Sequence, residues 1–123
     1  MVASQDDQFQ IGQDMGGKEP TGTKALAYAS RFANLTLSHA LAVQNSQRGI
    51  FSWACYNHAV SETDSGFNRK TAGDGVVGRQ PATMNDALVA FLGWDDAGAG
   101  KPLAWVDSCQ GWKCGKGCGA NNY

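Results

Sequence analysis

The sequence has almost no net charge, no long apolar run and no recognisable export signal. Its 10 basic and 11 acidic residues leave a formal charge of −1, which creates no long-range field for nucleic acid or an anionic membrane. No apolar run approaches the roughly 18 residues that a membrane-spanning helix needs. Gln5, Asp6 and Asp7 stand where a secretory signal peptide has its apolar core. We therefore expect no nucleic-acid partner and no membrane span. The given sequence also shows no signal peptide for export.

Two signatures of reactive or metal-binding sites are also missing. No G-x-S-x-G motif occurs in the 123 residues, so the chain carries no nucleophile elbow of its own. The cysteine spacing Cys-x4-Cys-x3-Cys contains no C-x-x-C pair, and no histidine follows it, which disfavours a zinc ribbon. Zinc remains the weaker alternative to disulfides for these cysteines, and we expect neither a metal nor an organic cofactor.

Four cysteines are present, and three of them lie within the last fifteen residues. The four positions are Cys55, Cys109, Cys114 and Cys118. An even number of clustered cysteines is typical of a disulfide-stapled extracellular segment, although four cysteines allow three pairings. Asn34-Leu35-Thr36 is an N-glycosylation sequon at Asn34 and also indicates an extracellular protein. The extracellular features and the lack of a signal peptide are compatible with each other if Met1 lies inside a longer, secreted protein.

The composition predicts one modest globular domain, because 42% of the residues are hydrophobic and only 17% are charged. Apolar periodicity and turn residues then predict the order of elements. We expect a strand at Gln8–Ile11, a loop to Gly22, a helix from Thr23 to Gln44, a buried strand at Ile50–Cys55, an irregular stretch over 61–80, a helix from Pro81 to Leu92 with Leu88, Phe91 and Leu92 on its apolar side, and an extended piece at Leu103–Val106.

A strand, a long helix and a second strand form a βαβ unit, in which the two strands are parallel neighbours of one sheet. The carboxyl ends of such strands share one edge, and open α/β sheets place their sites there. Asp14 follows the first predicted strand and His58 follows the second. We therefore expect the Asp14 carboxylate to fix the tautomer of the His58 imidazole, which leaves the other ring nitrogen as a general base.

Other polar residues have simpler interpretations. A lone Asp after a strand is usually a solvated turn residue, and a loop His more often packs or faces water than catalyses. His39 lies inside the first helix, where a structural or solvent-facing role is expected. The carboxylates of Asp6, Asp7, Asp95 and Asp96 resemble ordinary solvated charges, and Asp64, Asp74 and Asp86 have no partner that the sequence identifies.

Three segments, at Gly49–His58, Val106–Cys118 and Phe9–Asp14, resemble the pectin acetylesterase/Notum family. The stretch Gly49–His58, with the sequence GIFSWACYNH, is similar to the family's histidine motif, roughly G-[VI]-F-x-x-[SA]-C-x-x-H. Val106-Asp107-Ser108-Cys109, continued by x4-Cys114-x3-Cys118, resembles its C-terminal cysteine tail with the same spacing. A third segment, Phe9–Asp14, falls where the family has an apolar strand leading into its acidic triad residue. The resemblance therefore covers nearly the whole chain.

The resemblance implies the C-terminal part of an α/β-hydrolase domain in a secreted, glycosylated serine hydrolase. Asp14 is then the triad acid, His58 is the general base, and the four cysteines form disulfides. In α/β-hydrolases the serine precedes the acid and the histidine along the chain, so the nucleophile lies before residue 1. Two departures stand out: plant members have a cysteine where this chain has Ala59, and animal members have one near Ala90. The family's disulfide pairing therefore cannot be copied onto this chain.

The resemblance implies an acyl ester as the substrate, and the acyl group can be attached either to a polysaccharide or to a protein. Pectin acetylesterases remove acetyl groups from polysaccharide, which we favour, whereas Notum removes a palmitoleoyl group from Wnt proteins. A non-catalytic, disulfide-stapled binding module and a pseudoenzyme without the serine are the remaining alternatives. We also expect Cys55 to bridge to one of the tail cysteines, with the other two paired locally, so that the tail is tied to the strand that presents His58.

Overall fold

A computed structural model describes residues 2–43, 49–58, 62–93 and 103–118. The elements in chain order are β1 (Val2–Asp7), α1 (Gln8–Asp14), α2 (Gly22–Ala42), β2 (Ile50–Asn57), α3 (Asp64–Arg69), β3 (Thr71–Ala72), β4 (Ala82–Thr83), α4 (Met84–Phe91) and β5 (Ala104–Val106), followed by a 3-10 turn at Lys116–Cys118. The predicted α/β class is confirmed. No helix in the described part of the chain combines the length and the apolar character needed to cross a membrane.

The central sheet has three parallel strands in the order β1-β2-β5. The chain leaves β1, passes through α1 and α2 and returns as β2, parallel to β1. The predicted parallel βαβ arrangement is therefore present, but its first strand is not the one that was predicted. The helix packs on the sheet through Ala29, Ala33, Leu37 and Ala40, which are all buried and recur at helical spacing. Small side chains at these positions let the helix approach the strands closely. Gln44, the predicted last residue of this helix, lies outside the described residues.

The predicted strand at Gln8–Ile11 is wrong, because these residues form the first turns of helix α1. The Asp7 side chain accepts a hydrogen bond from the Gln10 amide and so caps the helix, which turns the chain out of the sheet. Ile11 then enters the core beside Ala29. The actual first strand, Val2–Asp7, buries Ser4, Gln5 and Asp6. A run of polar residues at a chain start does not predict a buried strand, so the pattern placed the strand too late.

The second half of the chain follows the prediction less closely. The expected irregular stretch contains α3, which begins where the Thr63 hydroxyl accepts a hydrogen bond from the Gly66 amide. Helix α4 begins at Met84 rather than at Pro81, because Thr83 and Asp86 form a reciprocal capping box there. Its buried residues are Ala87 and Ala90, whereas the expected core residues Leu88 and Leu92 are exposed. Strand β5 confirms the extended piece predicted before the cysteine tail.

Two disulfides join the cysteines in the pattern that we expected. Cys55 of β2 is bonded to Cys118, with Cα atoms 5.6 Å apart, and Cys109 is bonded to Cys114 within the tail, at 5.9 Å. Both Cα separations lie in the usual range for a disulfide. The tail is therefore tied back to the strand that leads into His58. These bonds are compatible with an extracellular location.

Candidate functional site

Strands β1 and β2 end side by side, and a histidine and a carboxylate meet at that edge. Asp7, the last residue of β1, is the register partner of Asn57, the last residue of β2, and His58 follows directly. The Nδ1 atom of His58 lies 3.0 Å from Oδ2 of Asp7. Because a carboxylate can only accept, Nδ1 donates and the neutral ring keeps its lone pair on Nε2. A base oriented in this way is the first half of a proton-transfer site.

The Asp7 carboxylate is held by two donors. Its Oδ1 accepts the Gln10 amide at 2.8 Å as the cap of α1, while Oδ2 accepts His58. The Asp7 side chain is only 17% exposed, whereas that of His58 is 52% exposed. The acid is therefore fixed and shielded, and the imidazole remains accessible to a reacting group.

Asp14, which the sequence assigned as the partner of His58, is bonded to a different residue. It is the last residue of α1 and accepts a hydrogen bond from the hydroxyl of Tyr28 on α2. This hydrogen bond raises the pKa of the Tyr28 phenol. Within the described part of the chain, no hydrogen bond joins Asp14 to His58. The sequence thus placed His58 at the carboxyl edge of the sheet, but in the structure the carboxylate bonded to it is that of Asp7.

A cavity of about 350 Å³ opens beside the imidazole. It is lined by Gln8, Phe9, Gly12, Gln13, Gly17, Tyr56 and His58. The Phe9 side chain is largely exposed, and its ring centroid lies 5.3 Å from that of His58. Apart from the imidazole and the Tyr56 phenol, the lining has no ionisable group. The cavity therefore suits a neutral ligand that offers hydroxyl or carbonyl groups to the two glutamines.

Asp6, one residue before Asp7, is fully buried. Its Oδ2 accepts the Lys113 amide at 2.9 Å, and its Oδ1 has no hydrogen-bond partner among the described residues. Burial raises the pKa of Asp6 from 3.8 to about 6, and the hydrogen bond and charge of Lys113 offset this only in part. The prediction that Asp6 and Asp7 are solvated charges is wrong. The missed signal is two adjacent acids directly before a helix, where an Asp is a preferred cap.

A larger cavity of about 550 Å³ lies beside the end of β5, and its carboxylates have structural roles. The two oxygens of buried Asp107 accept the amides of Ala54 and Gly73, at 2.9 and 3.0 Å. Burial raises the pKa of Asp107, although these two hydrogen bonds counteract the rise. Asp74, which had no predicted partner, accepts both the amide and the hydroxyl of Ser108. These hydrogen bonds hold the end of β5 and the loops around this cavity together.

The remaining predicted site residues have clear positions. Asn34, the residue of the glycosylation sequon, is exposed on α2, and its Oδ1 accepts the Gly111 amide at 3.1 Å. His39 is exposed on the same helix, as expected. Asp95 and Asp96 lie outside the described residues. The described ranges contain no group of three or more His, Cys, Asp or Glu side chains arranged to hold a metal ion.

Comparison with known proteins adds no assignment. No protein-family model, no curated protein and no solved structure matches this chain.

Proposed function

We propose that this chain is the C-terminal part of a secreted serine carboxylesterase with an α/β-hydrolase fold, and that it supplies the acid and the base of the triad. The observation that carries the proposal is the hydrogen bond between His58 and Asp7 at the carboxyl edge of a parallel sheet. The accessible imidazole beside a cavity supports it, because a general base must reach its substrate. The resemblance of Gly49–His58 to the pectin acetylesterase/Notum histidine motif supports it independently.

The acid in this proposal is Asp7 rather than Asp14. Asp7 bonds to the Nδ1 atom of His58, and its other oxygen is fixed by the α1 cap. A carboxylate in this position holds the imidazole in one tautomer and stabilises the imidazolium formed during the reaction. Asp14 is engaged with Tyr28 instead. The predicted roles are therefore retained, but the carboxylate moves to the end of β1.

The mechanism is acyl transfer through a serine that lies N-terminal to this segment. The Nε2 atom of His58 takes the proton of the serine hydroxyl while the serine oxygen attacks the ester carbonyl. The imidazolium then gives this proton to the departing alcohol, and an acyl-enzyme remains. Water, activated by the same Nε2 atom, releases the carboxylic acid and restores the serine. Backbone donors near the serine stabilise the oxyanion in both steps.

The substrate we favour is a small O-acyl group, acetyl above all, on a polysaccharide. The cavity beside His58 offers the amide side chains of Gln8 and Gln13 and the exposed face of Phe9. Amides can bond sugar hydroxyls, and an aromatic face can cover the apolar side of a sugar ring. Deacylation of an acylated protein is the competing substrate class. Asn34 is the proposed glycosylation site of the secreted protein.

Ester hydrolysis by the isolated 123-residue chain tests this division of labour. We expect p-nitrophenyl acetate to be hydrolysed no faster than by free imidazole, because His58 has no serine to activate and no oxyanion donors to assist it. The same chain joined to an upstream segment with a G-x-S-x-G elbow should hydrolyse the ester rapidly. The control is His58→Ala in the joined protein, which should abolish the gain. Rapid turnover by residues 1–123 alone, abolished by replacing one of their own serines, would contradict the proposal.

The coding sequence upstream of Met1 separates the alternatives. A strand followed by G-x-S-x-G supports the esterase. A homologous elbow without its serine identifies a pseudoenzyme, and an unrelated upstream sequence identifies a binding module.

A further inference from the structure

The loop closed by the Cys109–Cys114 disulfide, here called the tail loop, contacts helix α2 and strand β2. The Gly111 amide donates to Oδ1 of Asn34 on α2. The Trp112 ring packs on the ring of Tyr56 in β2, with centroids 4.9 Å apart. The tail loop thus lies across the face of the sheet that α2 covers, close to the ends of the strands.

The same loop also holds the end of β1 through a single side chain. The Lys113 amide donates to Oδ2 of Asp6 at 2.9 Å. Lys113 has φ near 51°, a left-handed conformation that a non-glycine residue adopts at a cost, and in this conformation its amide reaches Asp6. Asp6 is therefore the attachment point between the tail loop and the strand that carries Asp7.

Strand β1 needs such an attachment because its own ladder is interrupted at this point. It is an outer strand of the described sheet, paired with β2 alone. Its register with β2 shifts between Ser4 and Asp6, so the ladder is irregular directly before Asp7. A catalytic pair requires positions fixed to within about 0.5 Å. Ser4 and Gln5 anchor the strand just before this point, through hydrogen bonds to the carbonyl oxygens of Cys55 and Asp107, both at 2.7 Å. Asp6 provides the anchor nearest to Asp7.

We propose that Asp6 is a positioning residue for the Asp7–His58 pair: by accepting the Lys113 amide it fixes the end of β1, so that the Asp7 carboxylate stays within hydrogen-bond distance of His58. This inference deepens the proposed function, since it concerns the same site. Asp6 itself touches neither His58 nor the cavity beside it. Its effect passes through the backbone of Asp7.

The site should respond to pH through Asp6. The ionisable groups around Asp6 are Lys113 of the tail loop, its partner Glu19 in the segment between α1 and α2, Tyr56 on β2 and Asp7 on β1. The buried residues of α2 are all apolar. Folding raises the pKa of Asp6 from 3.8 to about 6, so the folded protein binds a proton that the unfolded chain releases in this window. The stability from this proton is complete below the unfolded pKa and is lost as pH rises through about 6.

An Asp6→Asn variant tests this titration, because the amide oxygen still accepts from Lys113 and carries no charge. We expect a higher Tm than that of the wild type at pH 8 and no difference at pH 4. The same Tm difference at both pH values would show that Asp6 does not titrate as proposed.

The positioning role is tested by NMR on the 123-residue chain with both disulfides formed. The readout is the exchange rate with water of the Nδ1 proton of His58, which the Asp7 carboxylate protects. In Asp6→Ala we expect exchange to be about tenfold faster, as for the loss of one net hydrogen bond. Asp6→Asn should restore the wild-type rate.

Unchanged exchange in Asp6→Ala, or equally fast exchange in Asp6→Asn, would overturn the inference. If Asp6→Ala does not fold, the double variant Cys109→Ser/Cys114→Ser opens the tail loop and leaves Asp6 in place. Faster exchange in that variant supports the inference, and unchanged exchange overturns it. The readout needs neither substrate nor serine. A failure of the esterase proposal would therefore appear as missing activity with the exchange results intact.

Discussion

Asp7→Asn in the proposed full-length esterase is expected to lower kcat/KM for ester hydrolysis by about four orders of magnitude, whereas Asp14→Asn is expected to change it less than about threefold. An Asn at position 7 can present its amide to the Nδ1 atom of His58, which favours the wrong tautomer and removes the negative charge. Asp14 bonds to Tyr28, so its loss should leave His58 unaffected. Steady-state kinetics of the two variants with p-nitrophenyl acetate measure the difference.

The two substitutions form a matched pair, because each removes one charge from one end of the same helix. Asn is also a good helix cap, so Asp7→Asn retains the cap of α1 and should fold normally. His58→Ala provides the reference for complete loss of the base. If Asp14→Asn abolished activity and Asp7→Asn did not, the sequence-based acid would be right and the Asp7–His58 hydrogen bond would have no catalytic role.

Loss of the Cys55–Cys118 disulfide should be the largest single effect on stability. The bond closes a loop with a sequence separation of 63 and is worth about 4 kcal/mol on the chain-entropy model. The separation in the tail loop is only 5, which corresponds to about 2 kcal/mol. Urea unfolding of Cys55→Ala/Cys118→Ala under non-reducing conditions should therefore show roughly twice the loss seen in Cys109→Ala/Cys114→Ala.

The comparison between the two double variants also separates stability from site geometry. Cys55 lies three residues before His58, and Cys118 is buried against β2. The first variant should loosen both the fold and the site, whereas the second should act on the Asp6 attachment with a smaller loss of stability. Equal losses of stability in the two variants would contradict the loop-entropy argument.

Sequence patterns predicted the elements with a sustained apolar signal, either at helical spacing or as a continuous run. Helix α2 has buried Ala29, Ala33 and Leu37 at helical spacing, and β2 is continuously buried, so both were predicted correctly. Together with a first strand that was placed too late, they predicted the parallel sheet and placed His58 at its carboxyl edge. The pattern of one bond from Cys55 to the tail and one bond within the tail was predicted correctly, because three of the four cysteines lie in the tail. Which tail cysteine bonds to Cys55 was left open by the sequence, and the structure identifies it as Cys118.

The errors arose where tertiary contacts override a short pattern. Four residues of alternation at Gln8–Ile11 are too few to separate a strand from the first turn of a helix. The Asp7 side chain favours a helix here, because it caps α1 through one hydrogen bond from the Gln10 amide. Because the strand was predicted too late in the chain, Asp14 was predicted as the carboxylate at its end, whereas the actual strand ends at Asp7. Buried Asp6 was missed for a related reason, since its partner Lys113 lies far along the chain.

The measurement that most directly tests the central claim is the position of the serine labelled by a fluorophosphonate probe in the proposed full-length esterase. The account predicts one modified serine, within a G-x-S-x-G sequence N-terminal to residues 1–123, and loss of labelling in the His58→Ala variant. Peptide mapping by mass spectrometry identifies the site. Labelling of a serine inside residues 1–123, or undiminished labelling without His58, would contradict the claim that this chain supplies the acid and base for a nucleophile outside it.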